Sequence, residues 1–281
     1  MDGFMNPFSE KKRIVIKIGS HSLVHARTGR VDYIKMERLA MELSDLKNRG
    51  LDVCLVSSGA MAVGRQILGV KTKPDPLPKK QMHAAIGQAR LMAIYQKYFT
   101  EYNELCGQVL MTKHTMRDNV SRKNAQNTFE ELFRVGAIPV VNSNDTVSTY
   151  EIQFGDNDTL SAIVTSLIGA DLLIILTDID GLYSSDPRED ERAHLIRFVD
   201  RVDDVMDMAS DRPGSDVGTG GMLTKLRAAK IATASGADMI IANGGDVTIL
   251  HRIFENNYIG TFFAGHYDED FDLLSVVEEG R

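Results

Sequence analysis

The feature that most constrains the fold is an alternation of short β-branched runs with longer stretches of helical period. Residues 13–18 predict a first strand, apolar residues of 33–46 recur every three or four positions, and 53–56 predict a second strand. The second run is almost continuously apolar, as in strands buried on both faces. This pattern is typical of βαβ units, so we expect a mostly parallel sheet covered by helices.

The same alternation continues along the chain. Further strands are predicted at 108–111, 138–141, 172–176, 239–241 and 261–263, and helices at 81–101, 122–134, 157–168 and 223–235. Three prolines, Pro74, Pro76 and Pro78, predict a loop over 71–80 before the first of these helices. Asp180 followed by Gly181 is a turn signal, which predicts a hairpin excursion in the second half.

Composition excludes several classes of function. The net charge is -7 with no run of basic residues, which argues against a nucleic-acid partner. Cys54 and Cys106 lack the paired spacing of a metal or redox site, so we expect a reducing compartment. No segment is long and apolar enough to cross a bilayer, and residues 1–12 lack the apolar stretch of a signal peptide. We therefore expect a cytoplasmic protein without a membrane partner.

Lys17 lies inside the apolar run 14–18, and Gly19 follows almost directly. A lone ammonium group in a buried strand is costly without a negative partner, so Lys17 predicts an anion near the carboxyl end of this strand. Gly19 would let the backbone approach that anion closely. The alternative is a lysine at the strand end that reaches solvent.

Ser57, Ser58 and Gly59 stand at a second strand-to-helix junction. Backbone N–H groups at such a junction favour a negatively charged group, so an anionic part of a substrate fits here. The alternative is an ordinary helix cap, since serine before glycine also serves that purpose.

Carboxylates and amides cluster after the strand predicted at 138–141. Asp145 follows that strand closely, and Asp156, Asn157 and Asp158 open the next predicted helix. Capping explains one of the last three residues, but not all of them together with Asp145. We therefore predict a site that holds a cationic group or orients a lysine.

A glycine-rich stretch, 218–221, precedes the helix predicted at 223–235 and its residue Lys225. Loop N–H groups and one ammonium group together suit phosphate oxygens. The dipeptide Gly-Lys occurs nowhere, which excludes a Walker A motif, and neither a Gly-x-Gly-x-x-Gly fingerprint nor the protein-kinase triplets are present. The histidines show no metal-ligand spacing.

Taken together, these residues resemble the amino-acid kinase family over essentially the whole chain up to about residue 264. The resemblance is carried, in order, by Lys17-x-Gly19-Ser20, Ser58-Gly59-Ala60, Asn142-x-Asn144-Asp145, Phe154-Gly155-Asp156-Asn157-Asp158, Thr177-Asp178-x-x-Gly181-Leu182-Tyr183 and Gly218-Thr219-Gly220-Gly221-Met222-x-Thr224-Lys225. Six motifs in register make it specific. The fourth and sixth resemble most closely the members that phosphorylate the side-chain carboxylate of glutamate.

The resemblance implies a role for each matched residue. Lys17 and Lys225 would stabilise the transferring phosphoryl group, and Asp158 would hold both lysines. The substrate-binding positions implied are Ser58, Gly59, Asp145, Asp156 and Asn157. The positions implied for ATP are Lys17, Thr177, Asp178, Thr219, Gly220, Gly221, Met222, Leu223, Thr224 and Lys225. Mg²⁺ would accompany ATP, with no metal ligand assigned to the protein.

The resemblance also implies an architecture: a three-layer α/β/α sandwich with a mostly parallel central sheet. Residues 1–265 would form the kinase domain, with an acceptor-binding N-terminal half and a nucleotide-binding C-terminal half, and 266–281 an acidic tail. Many relatives with this acceptor continue into an RNA-binding-like PUA domain, and the sequence stops before one. A second departure is Ser143, where a glutamate is common.

The implied reaction converts L-glutamate and ATP into an acyl phosphate, which a glutamyl phosphate reductase would consume in proline biosynthesis. Feedback inhibition by proline and a homo-oligomer are further implications. The alternatives are a family member that acts on aspartate, acetylglutamate, carbamate or a nucleoside monophosphate, and a non-catalytic sensor of amino acids or nucleotides. Retention of Lys17, Asp158 and Lys225 together argues against the sensor.

Overall fold

In the computed structural model, the described residues are 7–70, 76–147, 157–207, 221–273 and 275. Their strands form one eight-stranded sheet: β1 (Arg13–Ile18), β2 (Asp52–Ser57), β3 (Leu105–Met111), β4 (Ala137–Ser143), β5 (Leu172–Thr177), β6 (Phe198–Val199), β7 (Asp238–Asn243) and β8 (Gly260–Phe263). The strand order is β3-β4-β2-β1-β5-β7-β8-β6. Neighbouring strands are parallel except for β7 and β8, which are antiparallel.

Helices cover both faces of this sheet. Within the described residues they are α1 (Tyr33–Asn48), α2 (Ala60–Ile67), α3 (Leu77–Glu101), α4 (Lys113–Arg117), α5 (Asn119–Arg134), α6 (Asn157–Leu167), α7 (Met222–Ala234) and α8 (Ile249–Phe254). None of them is both long enough and apolar enough to span a bilayer.

Each face of the sheet packs against helices in an apolar core of its own. Ile14, Ile16 and Ile18 of β1 are buried with side chains of α1, α3 and α8, whereas Val15 is buried with side chains of α5, α6 and α7. Alternate residues of a strand point to opposite faces, so Lys17 lies on the same face as Val15. The predicted three-layer α/β/α sandwich with a mostly parallel sheet is confirmed.

Close contact between α2 and α3 fixes the second strand-to-helix junction. Gly59 precedes α2 with a φ of 108°, a conformation that glycine adopts without strain. A Cβ atom on Gly87 of α3 would lie only 1.7 Å from the carbonyl oxygen of Ala60, so the two backbones touch there. This contact holds α3 against the end of β2.

The predicted strands and long helices are all present, with ends shifted by a few residues. The loop predicted over 71–80 is wrong in its last part, because α3 begins at Leu77 and Pro78 occupies its first turn. A proline is tolerated there, since the first-turn N–H groups have no partner within the helix. The hairpin excursion is supported by an antiparallel bridge between Tyr183 and Leu195. The helix expected after the junction at Gly59, for which no bounds had been predicted, is α2, and three short elements, α4, α8 and β6, had not been predicted.

Candidate active site

Polar side chains collect at the carboxyl edge of the sheet. The register pairs Ile18 of β1 with Ser57 of β2 on one side and with Leu176 of β5 on the other. Segments that follow β1, β2, β4, β5 and β7 therefore meet at one edge, with the β1 end in the middle. Ligands of open parallel sheets bind at this edge, so it is the candidate active site.

Two lysines and one aspartate form the centre of the site. Asp158 lies in the first turn of α6, fully buried, and one carboxylate oxygen is 2.5 Å from Lys17 Nζ. The other oxygen is 3.1 Å from Lys225 Nζ, in the first turn of α7. The Thr224 hydroxyl lies 3.2 Å from the same Asp158 oxygen and 2.8 Å from the Gly221 carbonyl oxygen, so these two acceptors share its single proton. We call Lys17, Asp158 and Lys225 the lysine–aspartate cluster.

The charge state of this cluster follows from its geometry. Burial alone would raise the pKa of Asp158, but the nearby ammonium groups of Lys17 and Lys225 outweigh it and hold the pKa below the ordinary value. The aspartate is therefore ionised at neutral pH. Both lysines are almost fully buried, so their charges act in a medium that screens them weakly.

Amide side chains join the ends of β2 and β4. Asn157 donates through Nδ2 to Ser58 Oγ at 2.8 Å and to Asn142 Oδ1 at 2.9 Å. Asn142 in turn donates through Nδ2 to Gln88 Oε1 of α3 at 2.8 Å. We call Gln88, Asn142, Asn157 and Ser58 the amide relay.

Asp145 joins the same half of the site through Ser143. The Ser143 hydroxyl donates to Asp145 Oδ1 at 2.6 Å, and the Ser143 backbone N–H donates to Asn142 Oδ1 at 2.9 Å. Ser143 thus contacts both the Asp145 carboxylate and the relay. The structure gives this departure from the family pattern a local role, which the sequence did not indicate.

Thr177 and Asp178 end β5 on the other side of β1. The Thr177 hydroxyl donates to Asp178 Oδ1 at 3.1 Å, and Asp178 is exposed. Nearby, Asn243 at the end of β7 donates to Asp180 Oδ1 at 2.8 Å. Asn243 and Asp180 had not been singled out as site residues, because no motif marks them.

The predicted phosphate loop is described only from Gly221 onward. Gly221 precedes α7, and Met222, Leu223 and Thr224 are half-buried in its first turn beside Lys225. Three predicted site residues lie outside the described residues: Asp156, Thr219 and Gly220. Their predicted roles stay predictions.

Predicted site residues therefore fall into three groups at one sheet edge. The described residues bring together Lys17, Asp158, Lys225 and Thr224 in the centre, and Ser58, Asn157 and Asp145 on the β2–β4 side. Thr177 and Asp178 lie on the β5 side. Gln88 was missed, although a polar residue on the buried face of a helix is a signal that could have found it.

The model of the Amino acid kinase family matches residues 12–243, well over half of the chain. The chain belongs to this family. Two solved structures share its fold: UMP kinase from Ureaplasma parvum, with a TM-score of 0.64 and 14% identity, covering 90% of this chain and 99% of that one, and carbamate kinase from Giardia lamblia bound to AMP-PNP, with a TM-score of 0.63 and 16% identity, covering 92% and 99%.

Among curated relatives, the chain is similar to several proteins named glutamate 5-kinase. That of Carboxydothermus hydrogenoformans is 47% identical over 252 residues, which cover 90% of this chain and 68% of the relative. That of Clostridium tetani is 46% identical over 252 residues, covering 90% and 94%. That of Clostridium perfringens is 45% identical over 264 residues, covering 92% and 98%.

Proposed function

We propose that the chain is an ATP-dependent kinase that phosphorylates the γ-carboxylate of L-glutamate, giving L-glutamyl 5-phosphate and ADP, the first step of proline biosynthesis. The similarity to glutamate 5-kinases over most of the chain supports this acceptor and argues against the other acceptors of the family. The observation that carries the chemistry is the lysine–aspartate cluster at the carboxyl edge of the sheet.

The cluster suits transfer of a phosphoryl group. Charge in the transition state spreads over the three equatorial oxygens of the transferring group, so catalysis depends on fixed positive charge and on alignment. Lys17 and Lys225 enter the cluster from two different elements, β1 and α7, and Asp158 fixes both ammonium groups. In the proposal each lysine stabilises the transferring phosphoryl group, and Asp158 is a positioning residue.

The acceptor needs no general base. A γ-carboxylate with an ordinary pKa near ~4.3 is already ionised at neutral pH. One of its oxygens attacks the γ-phosphorus of ATP, the bond from that phosphorus to the β–γ bridging oxygen breaks, and ADP leaves with the electron pair. This reaction accounts for a site built without a catalytic histidine.

We assign the two sides of the site to the two substrates. The β2–β4 side offers Ser58 and Gly59, which suit the carboxylate of an amino acid. It also offers Asn157 and the carboxylate of Asp145, which suit the ammonium group. Thr177, Asp178 and the first turn of α7 would hold ATP, together with Thr219 and Gly220, and Asp156 would complete the acceptor side.

Mg²⁺ fits this proposal as a companion of ATP. The described part of the chain contains no group of three or more acidic, histidine or cysteine side chains arranged to hold a metal ion. Magnesium in kinases needs only one or two carboxylates, because phosphate oxygens and water complete its shell. The ion would neutralise phosphate charge, and Asp178 is exposed at the nucleotide side as a candidate ligand.

A coupled assay of ADP release tests the proposal. Glutamate, aspartate, acetylglutamate, carbamate and UMP are offered in turn with ATP and Mg²⁺. Glutamate should support turnover far above the others. Turnover with another acceptor and none with glutamate would contradict the assignment, and the absence of turnover with every acceptor offered would favour the non-catalytic sensor.

Three further parts of the proposal concern partners: proline as a feedback inhibitor that competes with glutamate, a glutamyl phosphate reductase as consumer of the labile product, and a homo-oligomeric state. The first is tested in the same assay, since saturating proline should move the glutamate titration to higher concentration. An unmoved titration would remove proline from the proposal.

A further inference from the structure

The direction of every hydrogen bond in the amide relay can be worked out from one donor. The Ser143 backbone N–H can only donate, and it points at the Asn142 side chain at 2.9 Å. The atom it meets must therefore be Oδ1 and not Nδ2, which fixes the orientation of the Asn142 amide. Asn142 Nδ2 then faces Gln88 at 2.8 Å, so Gln88 must present Oε1 there.

The same orientation fixes the other end of the relay. Asn142 Oδ1 accepts from Asn157 at 2.9 Å, so Asn157 presents Nδ2 there, and the second proton of this Nδ2 goes to Ser58 Oγ at 2.8 Å. Both protons of the Asn157 amide are then used within the relay. Its Oδ1 takes no part in the relay.

Within the relay, the Ser58 hydroxyl oxygen accepts a hydrogen bond from Asn157. The hydroxyl proton of Ser58 therefore remains available to another acceptor. Among the described residues, no acceptor takes a hydrogen bond from this proton. Ser58 is half-buried at the end of β2, next to Gly59. The relay thus offers one donor, Ser58 O–H, and one acceptor, Asn157 Oδ1, beside Asp145.

We infer that Gln88 and Asn142 are positioning residues that, together with the Ser143 backbone N–H, hold the polarity of the acceptor site, so that Ser58 donates to the carboxylate of an α-amino acid and Asn157 accepts from its ammonium group. The inference rests on the proposed function and deepens it. A reversed relay would direct the Asn157 amide protons toward the ammonium group, which repels them. One amide on α3, outside the family motifs, therefore contributes to the choice of acceptor.

The burial of Gln88 makes this role testable. It lies on the buried face of α3, which the contact between Gly87 and Ala60 holds in place, and Gln88 Nε2 is buried without a hydrogen-bond partner among the described residues. The bond to Asn142 is therefore the polar contact that fixes Gln88 in this part of the structure. Burying the unpaired Nε2 of Gln88 costs free energy that an apolar side chain at this position would not incur.

The experiment compares Gln88→Met with Gln88→Glu. Methionine keeps the volume and removes the oxygen that accepts from Asn142, whereas either protonation state of glutamate still accepts. Loss of one buried hydrogen bond should raise the KM and the calorimetric Kd for glutamate about 5- to 10-fold in Gln88→Met. The KM for ATP and kcat should stay within about threefold, and Gln88→Glu should return the KM to within about twofold of the wild type.

Tyr95→Phe is the matched control. Tyr95 lies two turns further along α3, and its hydroxyl is 2.7 Å from Ser57 Oγ, so this change also deletes a buried hydrogen bond next to Ser58 without touching the relay. Its glutamate KM should stay within about twofold of the wild type. If Gln88→Met does not fold, Gln88→Asn, one methylene too short to reach Asn142, replaces it with the same expectation.

Each outcome decides a separate point. Equal effects of Gln88→Met and Tyr95→Phe, or a glutamate KM unchanged in Gln88→Met, would overturn the inference and leave the proposed function standing. A wild-type chain that binds glutamate without turning it over would contradict the kinase proposal, and the Kd series would still decide on the relay. A wild-type chain that does not bind glutamate would overturn both.

Discussion

Replacing Asp158 by asparagine tests the lysine–aspartate cluster in the absence of any substrate. The change keeps the shape of the side chain and removes the one negative charge that lies 2.5 Å from Lys17 Nζ and 3.1 Å from Lys225 Nζ. Breaking a buried ion pair by neutralising one partner costs about 3–5 kcal/mol, because the remaining charge stays buried without its counter-ion. We expect the free energy of unfolding to fall by about that amount.

Urea denaturation at neutral pH measures this free energy, and Asp203→Asn provides a matched control. Asp203 also pairs with a lysine, Lys230, at 2.7 Å, but both side chains are largely exposed. An exposed pair contributes about 0–1 kcal/mol, so the control should hardly differ from the wild type. If Asp158→Asn and Asp203→Asn lose equally little stability, the buried cluster does not carry the charge balance described above.

The same variant separates binding of ATP from catalysis. Neutralising Asp158 leaves more positive charge at the phosphate end of the site, so ATP affinity should not weaken. The two ammonium groups lose the carboxylate that fixes them, so kcat should fall by about 10²-fold or more. A parallel loss of ATP affinity and kcat would mean that Asp158 acts in some other way than by positioning the lysines.

Three further predictions follow from the site. Lys17→Ala and Lys225→Ala should each lower kcat by about 10²-fold or more with a small change in KM for ATP, and steady-state kinetics with near-wild-type turnover would remove that lysine from the mechanism. Asp145→Asn should raise the KM for glutamate strongly, because roughly 2–5 kcal/mol of binding free energy is lost, and should leave the KM for ATP unchanged. Phosphorylation of acetylglutamate as fast as that of glutamate would contradict this role. Because the folded pKa of Asp158 lies below its ordinary 3.8, its stabilisation is complete above that pH and is lost as the pH falls through the folded value. The stability difference between wild type and Asp158→Asn should therefore shrink only below about pH 4, and a difference already falling at pH 6 in urea titrations would contradict the direction of the shift.

Much of the fold could be predicted because the apolar pattern is strong. The run 14–18 is apolar except for Lys17, and strand periodicity alone places that lysine on the face of Val15. The resemblance to the family supplied the partners Asp158 and Lys225. The junction at Gly59 indicated that a helix follows, but the length of α2 could not be predicted, because Gly64 lies inside it. The neighbouring helix explains that glycine, since a Cβ there would lie 2.0 Å from the carbonyl oxygen of His83.

The amide relay shows why part of the site could not be predicted. Gln88 and Asn142 are 54 positions apart in the sequence, and nothing in either local pattern indicates that their side chains meet. The roles of Ser143 and Asn157 depend likewise on which atom of an amide faces which neighbour. Such directions follow only from the three-dimensional arrangement, since an amide side chain is equally able to donate and to accept.

The most direct test of the proposed function is to trap its product. An acyl phosphate reacts with hydroxylamine to give a hydroxamate and inorganic phosphate, so the purified chain is incubated with ATP, Mg²⁺, L-glutamate and hydroxylamine, and γ-glutamyl hydroxamate and ADP are measured together. We expect hydroxamate and ADP in equal amounts, with neither formed when glutamate is replaced by acetylglutamate, and with both strongly reduced in Lys225→Ala. ADP formed without hydroxamate, or hydroxamate formed equally well by Lys225→Ala, would contradict the account.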